Sequence, residues 1–477
     1  MAKNKLFKDP VHGYIEIPDS YCLHIVDTPI FQRLRCIEQT SMRPLYPAAH
    51  HDRFIHSLGV FYLGRKAFES IKKNSVFPSP EEPVILRIQN SFLLACLLHD
   101  CAHAPFSHTF EDYYELPADP TSGKGRVQTI LEKVVSKEFI ADLNTASLPQ
   151  QHEMASAAIA VSQYSPAIFE LGGEPELVAR MITGCKHRQL VKGNLALKFE
   201  NCFIELLNGA PVDVDKLDYI MRDTWASGVK NVSIDVDRLL NAIFVELDDT
   251  GVQLGFKQSA LSVIQNVVDG RNFLYQWVYS HHTVLYYNEL LTRATKTLAV
   301  LLAEEGEPNS FWKKFVSTDS LCGPIELKDH VFYLPSDGDL LYLLKHYSAS
   351  IPEAEEFFSH CPKRFPLWKT KAQFDEIFRE MKATSADRDF IGSEAEEHLS
   401  TKYGVEQSQF LMLKAQAKIR AINEQEIQIL IDGKFISFTQ IFKMQQSEAE
   451  RYFYIFAPLE LRDKRDEMVS ALRECKP

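Results

Sequence analysis

The sequence predicts a mainly α protein with a helical core, a small N-terminal hairpin and a mixed α+β C-terminal lobe. Between about residues 20 and 300, several segments carry apolar residues at three- and four-residue spacing, which is typical of helices. Residues 5–18 alternate apolar and polar positions around a Pro-Val-His-Gly turn, which indicates a hairpin. Strand-like patterns return beyond about residue 305. We therefore predict three parts: a hairpin segment (1–19), a helical core (20–305) and a C-terminal α+β lobe (306–477).

Each predicted element has a pattern of its own. The helical spacing is clearest in five segments: residues 67–75, 90–100, 125–143, 155–165 and 176–186. Pro and Gly predict breaks at three places: residues 77–83, 117–125 and 171–176. In the C-terminal lobe we predict a hairpin over 426–438 around Asp432-Gly433, a strand over 451–459 and a closing helix over 462–475.

Composition narrows the class of protein. The chain has 477 residues, of which 45% are hydrophobic and 24% charged, as in soluble globular proteins. Its apolar runs are too short to cross a bilayer, and its start lacks the apolar core of a signal peptide. The nine cysteines form no CxxC pair, so we expect a reducing, cytoplasmic setting. A net charge of −12 argues against a protein that coats nucleic acid non-specifically. Nucleic acid is a possible partner, but no sequence feature indicates it.

Histidines and aspartates suggest a metal site. His56 lies in DRFIHSLGV, His99-Asp100 ends an apolar helix, and an acidic segment follows at 212–223. Such residues are costly to bury unless something coordinates them. Pro105 predicts that the helix stops near 101–103. Two imidazoles and two carboxylates suit Mg, Mn, Fe or Zn. Spacing alone leaves four candidates for the last ligand: Asp213, Asp215, Asp218 and Asp223.

The motifs resemble those of the HD-domain deoxynucleoside triphosphate (dNTP) triphosphohydrolases. The resemblance covers about the first 300 residues through six motifs in matching order: KLFKDPVHGYIEI, DTPIFQRLRCIEQ, HHDRFIHSLGV, LLHDCAHAPFSHTFE, DVDKLDYIMRD and RNFLYQWVYSHH. It implies an HD-domain helical core that hydrolyses dNTPs to deoxynucleoside and inorganic triphosphate. It also implies a metal held by four ligands: His56, His99, Asp100 and Asp215. Asp213 would then start a helix or support the ligands without binding the metal.

Further histidines are candidate proton carriers, because a histidine with a near-neutral pKa can protonate the departing sugar 5′ oxygen. The resemblance assigns this catalytic role to His108 with Glu111, and places His152 in the active site; His103 is the fourth candidate. The family often has Asp at the position of Glu111, which is one methylene longer.

Substrate contacts are predicted partly from the spacing of the residues and partly from the family resemblance. Arg53 lies three residues before His56, and its planar guanidinium suits phosphate oxygens. Tyr219 and Asp223 lie four residues apart and share a helical face with Asp215. The resemblance adds phosphate contacts from Lys216 and Arg271, sugar 3′-hydroxyl contacts from Gln39, Tyr219 and Asp223, and crowding of the sugar 2′ position by Tyr279. The family's Gln-Leu-Gly is replaced here by Gln39-Thr40-Ser41.

A regulatory site is a further expectation. The resemblance implies that four residues recognise a guanine nucleotide effector between subunits of a homo-oligomer, a dimer or tetramer: Lys5, Asp27, Gln32 and Arg35. A carboxylate and a guanidinium match the donors and acceptors of a guanine edge. Lys8 replaces the family's Asn nearby. The alternative is that these residues are helix caps and surface charges.

Two other functions remain open at this stage. The chain could be another HD phosphohydrolase, namely a nucleotidase, a phosphodiesterase or a 3′ exonuclease. It could also be a nucleotide-sensing module with vestigial chemistry. Release of single phosphate or of mononucleotides would favour the first alternative over the triphosphohydrolase. Binding of dNTPs without turnover would favour the second.

Overall fold

The computed structural model describes most of the chain: residues 3–75, 82–116, 125–145, 149–188, 195–209, 212–248, 251–304, 307, 309–415, 427–442 and 452–475. The predicted break at 117–125 and the predicted boundary at 305–306 fall outside these residues, apart from residue 125, and so does most of the break at 77–83. The break at 171–176 is a turn that separates two helices.

The predicted N-terminal hairpin is present. Strands β1 (Asn4–Asp9) and β2 (Gly13–Pro18) pair antiparallel, with Asn4 opposite Pro18 and Asp9 opposite Gly13. Gly13 has φ of +80°, a conformation that glycine adopts without steric cost. Ile15 and Ile17 face inward and are fully buried, so the hairpin lies on the helical core.

Helices dominate the chain as far as residue 301. In order they are α1 (Asp19–Tyr21), α2 (Pro29–Arg33), α3 (Arg53–Asn74), α4 (Glu82–Leu98), α5 (Arg126–Val134), α6 (Lys137–Thr145), α7 (Gln151–Gln163), α8 (Ser165–Glu170), α9 (Pro175–Thr183), α10 (Leu195–Leu207), α11 (Val214–Ser227), α12 (Val236–Asn241), α13 (Leu261–Phe273) and α14 (His282–Leu301). Short 3₁₀ or π turns join some of them, at Cys22–Val26, Leu34–Cys36, Ser107–Thr109, Glu111–Glu115, Gln258–Ala260 and Leu274–Tyr279. The mainly α prediction is confirmed.

The helix before the His99-Asp100 pair ends earlier than predicted. We expected it to stop near 101–103, but α4 ends at Leu98. The Leu98 carbonyl accepts from Cys101 N at 3.1 Å, so the chain tightens into a turn at once. The two ligand candidates therefore lie on this turn and are not bound to the 100° spacing of a helix.

A hairpin inside the helical region was not predicted. Strands β3 (Ile243–Asp248) and β4 (Gly251–Lys257) pair antiparallel. The predicted C-terminal hairpin, β9 (Gln428–Ile431) and β10 (Lys434–Ser437), joins them in a four-stranded sheet ordered β10-β9-β4-β3, in which β4 and β9 are parallel. The pairing of β4 with β9 connects segments far apart in sequence, which local patterns do not reveal.

The rest of the C-terminal part mixes short helices and strands. The helices are α15 (Ser310–Phe315), α16 (Asp319–Cys322), α17 (Asp337–His346), α18 (Pro352–Ser359), α19 (Lys371–Glu380), α20 (Ser385–Tyr403), α21 (Phe438–Phe442) and α22 (Arg465–Ala471). The strands are β5 (Ile325–Leu327), β6 (His330–Phe332), β7 (Arg364–Pro366), β8 (Leu411–Ala415) and β11 (Tyr452–Pro458), with a sheet ordered β7-β11-β8. The predicted strand and closing helix are present as β11 and α22.

Packing of three helices positions the site. Helix α3 contacts both α4 and α11, and these elements belong to one large hydrophobic core. A second core surrounds Trp368 and Phe453 in the C-terminal part. In the described ranges, none of the helices has the length and apolarity needed to span a bilayer.

Candidate metal centre

Two helix starts and one turn bring the predicted ligands together. Helix α3 begins after Asp52, whose Oδ1 accepts from Ile55 N at 2.9 Å, and His56 lies in its first turn. Helix α11 begins after Asp213, whose Oδ1 accepts from Lys216 N at 2.7 Å, and Asp215 lies in its first turn. The expectation that Asp213 starts a helix is correct.

The two imidazole Nε2 atoms each lie close to both predicted carboxylate ligands. His56 Nε2 lies 3.3 Å from His99 Nε2, 3.6 Å from Asp100 Oδ2 and 3.0 Å from Asp215 Oδ1. His99 Nε2 lies 3.5 Å from the same Asp100 oxygen and 3.6 Å from the same Asp215 oxygen. His56, His99 and Asp100 are buried, whereas the Asp215 side chain is 35% exposed and marks the open side.

The Nδ1 atom of each imidazole has a hydrogen-bond partner on the side of the ring opposite to Nε2. His56 Nδ1 shares a 2.7 Å hydrogen bond with Asp218 Oδ2, and His99 Nδ1 lies 3.0 Å from the Cys96 carbonyl oxygen. Such bonds fix the tautomer and leave the Nε2 lone pair for a metal. With two carboxylate oxygens beside them, these residues fit a divalent ion with open positions.

Asp218, one of the four aspartates considered as the last ligand, belongs to a buried network that the sequence did not predict. Arg222 Nε and Nη2 donate to its two oxygens at 2.8 and 2.9 Å, and His12 Nε2 lies 2.6 Å from Oδ1. Arg222 Nη1 also donates to Asp9 Oδ2 at 2.8 Å. The turn of the N-terminal hairpin is therefore linked through Asp218 to His56.

Neighbouring charged groups stabilise the charged forms of Asp100 and His56 in this centre. Burial opposes the charged form of Asp100, but Arg53, whose Nη1 donates to Asp100 Oδ2 at 2.6 Å, and the neighbouring histidines together outweigh it and hold the pKa below its usual range. In the absence of a metal, burial also opposes the charge of His56. Hydrogen bonds to Asp215 and Asp218 overcome this and raise the His56 pKa to about 9.

The predicted proton carriers form a second cluster. His108 Nδ1 lies 3.0 Å from Glu111 Oε1, and His152 Nδ1 lies 2.6 Å from Glu111 Oε2. His103 stacks on His152 with ring centroids 4.0 Å apart. Ring nitrogens of the three histidines lie within 4.8 Å of one another. One carboxylate thus orients two imidazoles.

Electrostatics separates the roles in this cluster. Burial works against the charge of Glu111, but hydrogen bonds from His108 and His152 outweigh it and lower the Glu111 pKa. The same bond raises the pKa of His152 despite burial. Burial and the nearby Arg53 hold the pKa of His103 well below its usual range, and neither ring nitrogen of His103 has a hydrogen-bond partner among the described residues. Burial and Arg53 therefore favour the neutral form of His103.

Arg53 connects the two clusters. Besides Asp100, it donates from Nε to Ser107 Oγ at 3.0 Å and from Nη2 to the Gln39 carbonyl at 3.0 Å. The same Nη2 lies 3.5 Å from His108 Nε2. The phosphate contact of this arginine stays a prediction; the structure shows that Arg53 lies between the two clusters.

Two side chains, from His51 and Tyr279, meet at the Asp223 carboxylate. Its Oδ1 lies 2.6 Å from His51 Nε2, and its Oδ2 accepts from the Tyr279 hydroxyl. Gln39 N donates to the His51 carbonyl at 3.1 Å, and the buried Gln39 Oε1 has no partner in the part of the chain that the structure describes. His51 was not predicted; its position beside the DRF motif was the only available signal.

The other predicted phosphate contacts lie along α11 and α13. Lys216 Nζ forms an ion pair with Asp213, and this charge raises the Lys216 pKa although burial opposes it. The guanidinium carbon of Arg271 lies 4.5 Å from the Tyr275 ring centroid. Interactions with Tyr219 and Tyr275 likewise raise the pKa of Arg271 against burial.

The predicted effector residues form a surface group. Lys5 Nζ pairs with Asp27 Oδ1 at 2.8 Å, and both side chains are nearly half exposed. Gln32 Nε2 donates to the Val26 carbonyl at 2.7 Å, and Arg35 Nε donates to Gln32 Oε1 at 2.9 Å. The four residues are thus close together, as an effector site requires, but pair with each other in this structure.

Comparison with known proteins identifies the class. Residues 53–182 match the family model of the HD domain. That range starts at Arg53 and contains His56, His99 and Asp100, but ends before Asp215. Residues 53–182 of the chain therefore form an HD domain.

Named relatives agree with the resemblance found in the motifs. The chain is 29% identical over 279 residues to the deoxynucleoside triphosphate triphosphohydrolase SAMHD1 homolog of Dictyostelium discoideum, covering 58% of this chain and 46% of that protein. It is 27% identical over 372 residues to SAMHD1 of Gallus gallus, covering 76% and 55%. It is also 26% identical over 376 residues to YwfO of Bacillus subtilis, an uncharacterized protein, covering 76% and 70%. The chain thus spans about half the length of the two triphosphohydrolases that it matches.

Solved structures share the fold over nearly the whole chain. A hypothetical protein from Aquifex aeolicus superposes with a TM-score of 0.63 at 20% identity, covering 98% of this chain and 100% of that one. A phosphohydrolase from Bacteroides thetaiotaomicron superposes with a TM-score of 0.60 at 19% identity, covering 95% and 99%. The C-terminal part, which the motifs matched only vaguely, is included in this shared fold.

Proposed function

We propose that the protein is a metal-dependent dNTP triphosphohydrolase that releases deoxynucleoside and inorganic triphosphate. The observation that carries this proposal is that the Nε2 atoms of His56 and His99 each lie 3.0–3.6 Å from Asp100 Oδ2 and from Asp215 Oδ1, next to the histidines that Glu111 orients. The named triphosphohydrolase relatives support the substrate class. A nucleotidase or phosphodiesterase could use the same ligands, so the products decide.

The chain's own residues would stabilise the polyphosphate. When bound, a divalent ion lowers the pKa of water at its site to about 7 and neutralises charge on a phosphate oxygen. Arg53 is already fixed by Gln39 and Ser107, so its guanidinium needs no reorganisation to meet a phosphate beside Asp100. Lys216 and Arg271 lie on the side of Asp215 and extend the positive surface along the triphosphate.

The histidine cluster would supply the proton. Loss of the 5′ oxygen from the α-phosphorus requires a proton, because an alkoxide is a poor leaving group. His108 is the exposed histidine of the cluster and is oriented by Glu111, so it is placed to protonate this oxygen. His152 shares the same carboxylate, which raises the pKa of His152 and favours its protonated form.

Sugar recognition would take place at Asp223. The carboxylate is held by His51 and Tyr279. A sugar bound at Asp223 would have Tyr279 next to its 2′ carbon. Gln39 and Tyr219 complete the proposed contacts to the 3′-hydroxyl. The buried, unpartnered Gln39 Oε1 is available to accept a hydrogen bond from that hydroxyl.

Regulation and assembly are part of the same proposal. Lys5, Asp27, Gln32 and Arg35 would bind a guanine nucleotide effector at a contact between subunits, exchanging their mutual pairs for bonds to the base and phosphates. A cytoplasmic setting, where dNTPs are available, fits this role.

The test is a product analysis. The purified protein is incubated with each dNTP, singly and in mixtures, with Mg, Mn, Fe or Zn, and products are separated by anion exchange. Inorganic triphosphate together with deoxynucleoside is the expected result, and activity confined to mixtures demonstrates an effector. Asp215→Asn should abolish turnover, whereas Asp237→Asn, which removes only an exposed ion pair with Lys66, should not. Release of single phosphate or of mononucleotides from DNA would overturn the proposal.

A further inference from the structure

Asp337 contacts the site from far along the chain. It begins helix α17, and its carboxylate is 6% exposed. Oδ1 accepts from Phe106 N at 2.7 Å and Oδ2 accepts from Glu38 N at 2.8 Å. Each oxygen of this buried carboxylate therefore holds one backbone amide from a different segment of the HD-domain region.

One of these segments contains two residues in an unfavourable backbone conformation, directly before the proposed proton donor His108. Phe106 and Ser107 have φ of +56° and +52°, a region that residues other than glycine rarely adopt. Such residues persist where the surrounding structure fixes them. His108 follows directly, so its position depends on how firmly Phe106 and Ser107 are held.

The other segment carries the proposed sugar contact and is joined to the first. The Ser107 hydroxyl donates to the Glu38 carbonyl at 2.5 Å, and Arg53 Nη2 donates to the carbonyl of Gln39. Asp337 holds Glu38 N in the same peptide stretch. The carboxylate thus bridges the two walls between which Arg53 lies.

A second contact anchors the same segment independently. Arg33 is buried, and its Nε donates to the Pro335 carbonyl at 2.6 Å while its Nη1 donates to the His103 carbonyl at 2.9 Å. Residues 335–337 are therefore attached to the 103–106 stretch at both of its ends.

We propose that Asp337 is a positioning residue, which fixes His108 and Gln39 relative to the metal centre without touching substrate. This inference rests on the proposed function for the roles of His108 and Gln39. It makes residues 335–337, which lie outside the HD-domain match, a structural part of the active site.

The test compares Asp337→Asn with Asp339→Asn. Asparagine offers one acceptor oxygen, and its NH₂ would face an amide N–H, so one of the two bonds is lost. Asp339 lies on the same helix and accepts from Ser336 N at 2.8 Å and from Ser336 Oγ at 2.7 Å, without contact to the site. We expect Asp337→Asn to lower kcat by up to about 10²-fold with a smaller change in KM. Asp339→Asn should leave both constants within about twofold of wild type.

A second readout does not depend on activity. Amide hydrogen exchange, followed by mass spectrometry, should accelerate in peptides containing Glu38 and Phe106 in Asp337→Asn and not in Asp339→Asn. Metal titration should give wild-type affinity for both variants, which shows that the centre is folded; if Asp337→Asn fails this check, Asp337→Ser replaces it.

The outcomes separate the two proposals. Wild-type protein that turns over no dNTP contradicts the proposed function, while faster exchange in Asp337→Asn would still support the positioning role. Unchanged kcat in Asp337→Asn, unchanged exchange at Phe106, or an equal loss in Asp339→Asn would each overturn the inference about Asp337.

Discussion

His56 and Asp218 share a buried hydrogen bond of 2.7 Å between Nδ1 and Oδ2. Asp218 is itself held by both Arg222 and His12, so this carboxylate is rigid and charged. Burial opposes that charge, but Arg222 and the two histidines hold its pKa well below the usual range. The orientation of the metal-facing Nε2 of His56 therefore depends on a residue that binds no metal.

Replacing Asp218 by Asn should weaken metal binding. The amide cannot accept from His56, His12 and Arg222 together, so the imidazole loses its fixed tautomer. We expect metal affinity to fall about 10- to 100-fold, measured by competition with a chelating dye. Asp237→Asn serves as the control because its ion pair with Lys66 is exposed. Equal affinity in both variants would show that the bond does not orient the ligand.

A methyl group at Gly59 should disturb the same network. A Cβ there would overlap Asp218 Oδ1 and lie 2.5 Å from Arg222 Nη2. Because both groups are buried and paired, neither can move away without breaking the ion pair. Gly59→Ala should therefore destabilise the protein by at least about 1–3 kcal/mol, seen as a lower Tm. Gly323→Ala, where nothing lies within 4 Å of the added carbon, should leave Tm nearly unchanged.

Glu111→Gln should separate catalysis from metal binding. Glutamine accepts from one histidine only, so His108 and His152 cannot both stay oriented. We expect kcat for dNTP hydrolysis to fall about 10²- to 10⁴-fold while metal affinity stays at the wild-type level. Asp112→Asn, at the exposed neighbouring position, is the control. A kcat within threefold of wild type would exclude a role for this carboxylate in proton transfer.

Metal binding should release a proton below about pH 9. In the metal-free protein the pKa of His56 is raised to about 9, so its Nε2 carries a proton at neutral pH that a metal must displace. Apparent metal affinity should rise about tenfold per pH unit up to about pH 9 and level off above it. Calorimetric titration in buffers of different ionisation enthalpy measures the released proton. An affinity independent of pH between 6 and 8 would contradict the assignment of His56 as a ligand.

The contribution of Asp337 to the free energy of unfolding should change with pH in the direction opposite to that of most carboxylates. Burial raises its pKa to about 7, although its backbone hydrogen bonds and Arg33 oppose the shift and Glu38 assists it. A raised pKa means that the folded state binds the proton more tightly, so stability is greatest below about pH 4 and is lost as pH rises through 7. The free energy of unfolding of Asp337→Asn, measured in urea, should therefore increase relative to wild type between pH 4 and 8. A constant difference would show that Asp337 is not protonated in this range.

The sequence predicted the helical class, the terminal hairpins and the grouping of four ligand-type residues. Periodicity and turn residues are local, and the motifs around His56, His99 and Asp215 are dense enough to be recognised together. The β3–β4 hairpin was missed because the segment lies within a helical region and its partner β9 is more than 170 residues away. The end of α4 was placed too late because the early turn at His99 depends on tertiary packing.

The supporting residues were harder to predict than the ligands. Asp218 was among four aspartates that spacing could not separate, and His12 was read only as part of a turn. Asp337 carries no local signal, because its role depends on the backbone amides of Glu38 and Phe106. Hydrogen bonds that connect distant segments have no signature in one sequence, whereas the ligands occur in compact motifs.

The links from Asp9 to Asp337 also bear on how such a site can be inherited. The HD-domain match covers residues 53–182, yet the groups that orient His56 come from the hairpin turn and α11, and the His108 loop is held by α17. Exchanging only the matched segment with that of a relative would bring in three of the proposed ligands without Asp215 and without the residues that orient them. Recombination can therefore preserve this site only when it moves the two flanks together with the centre.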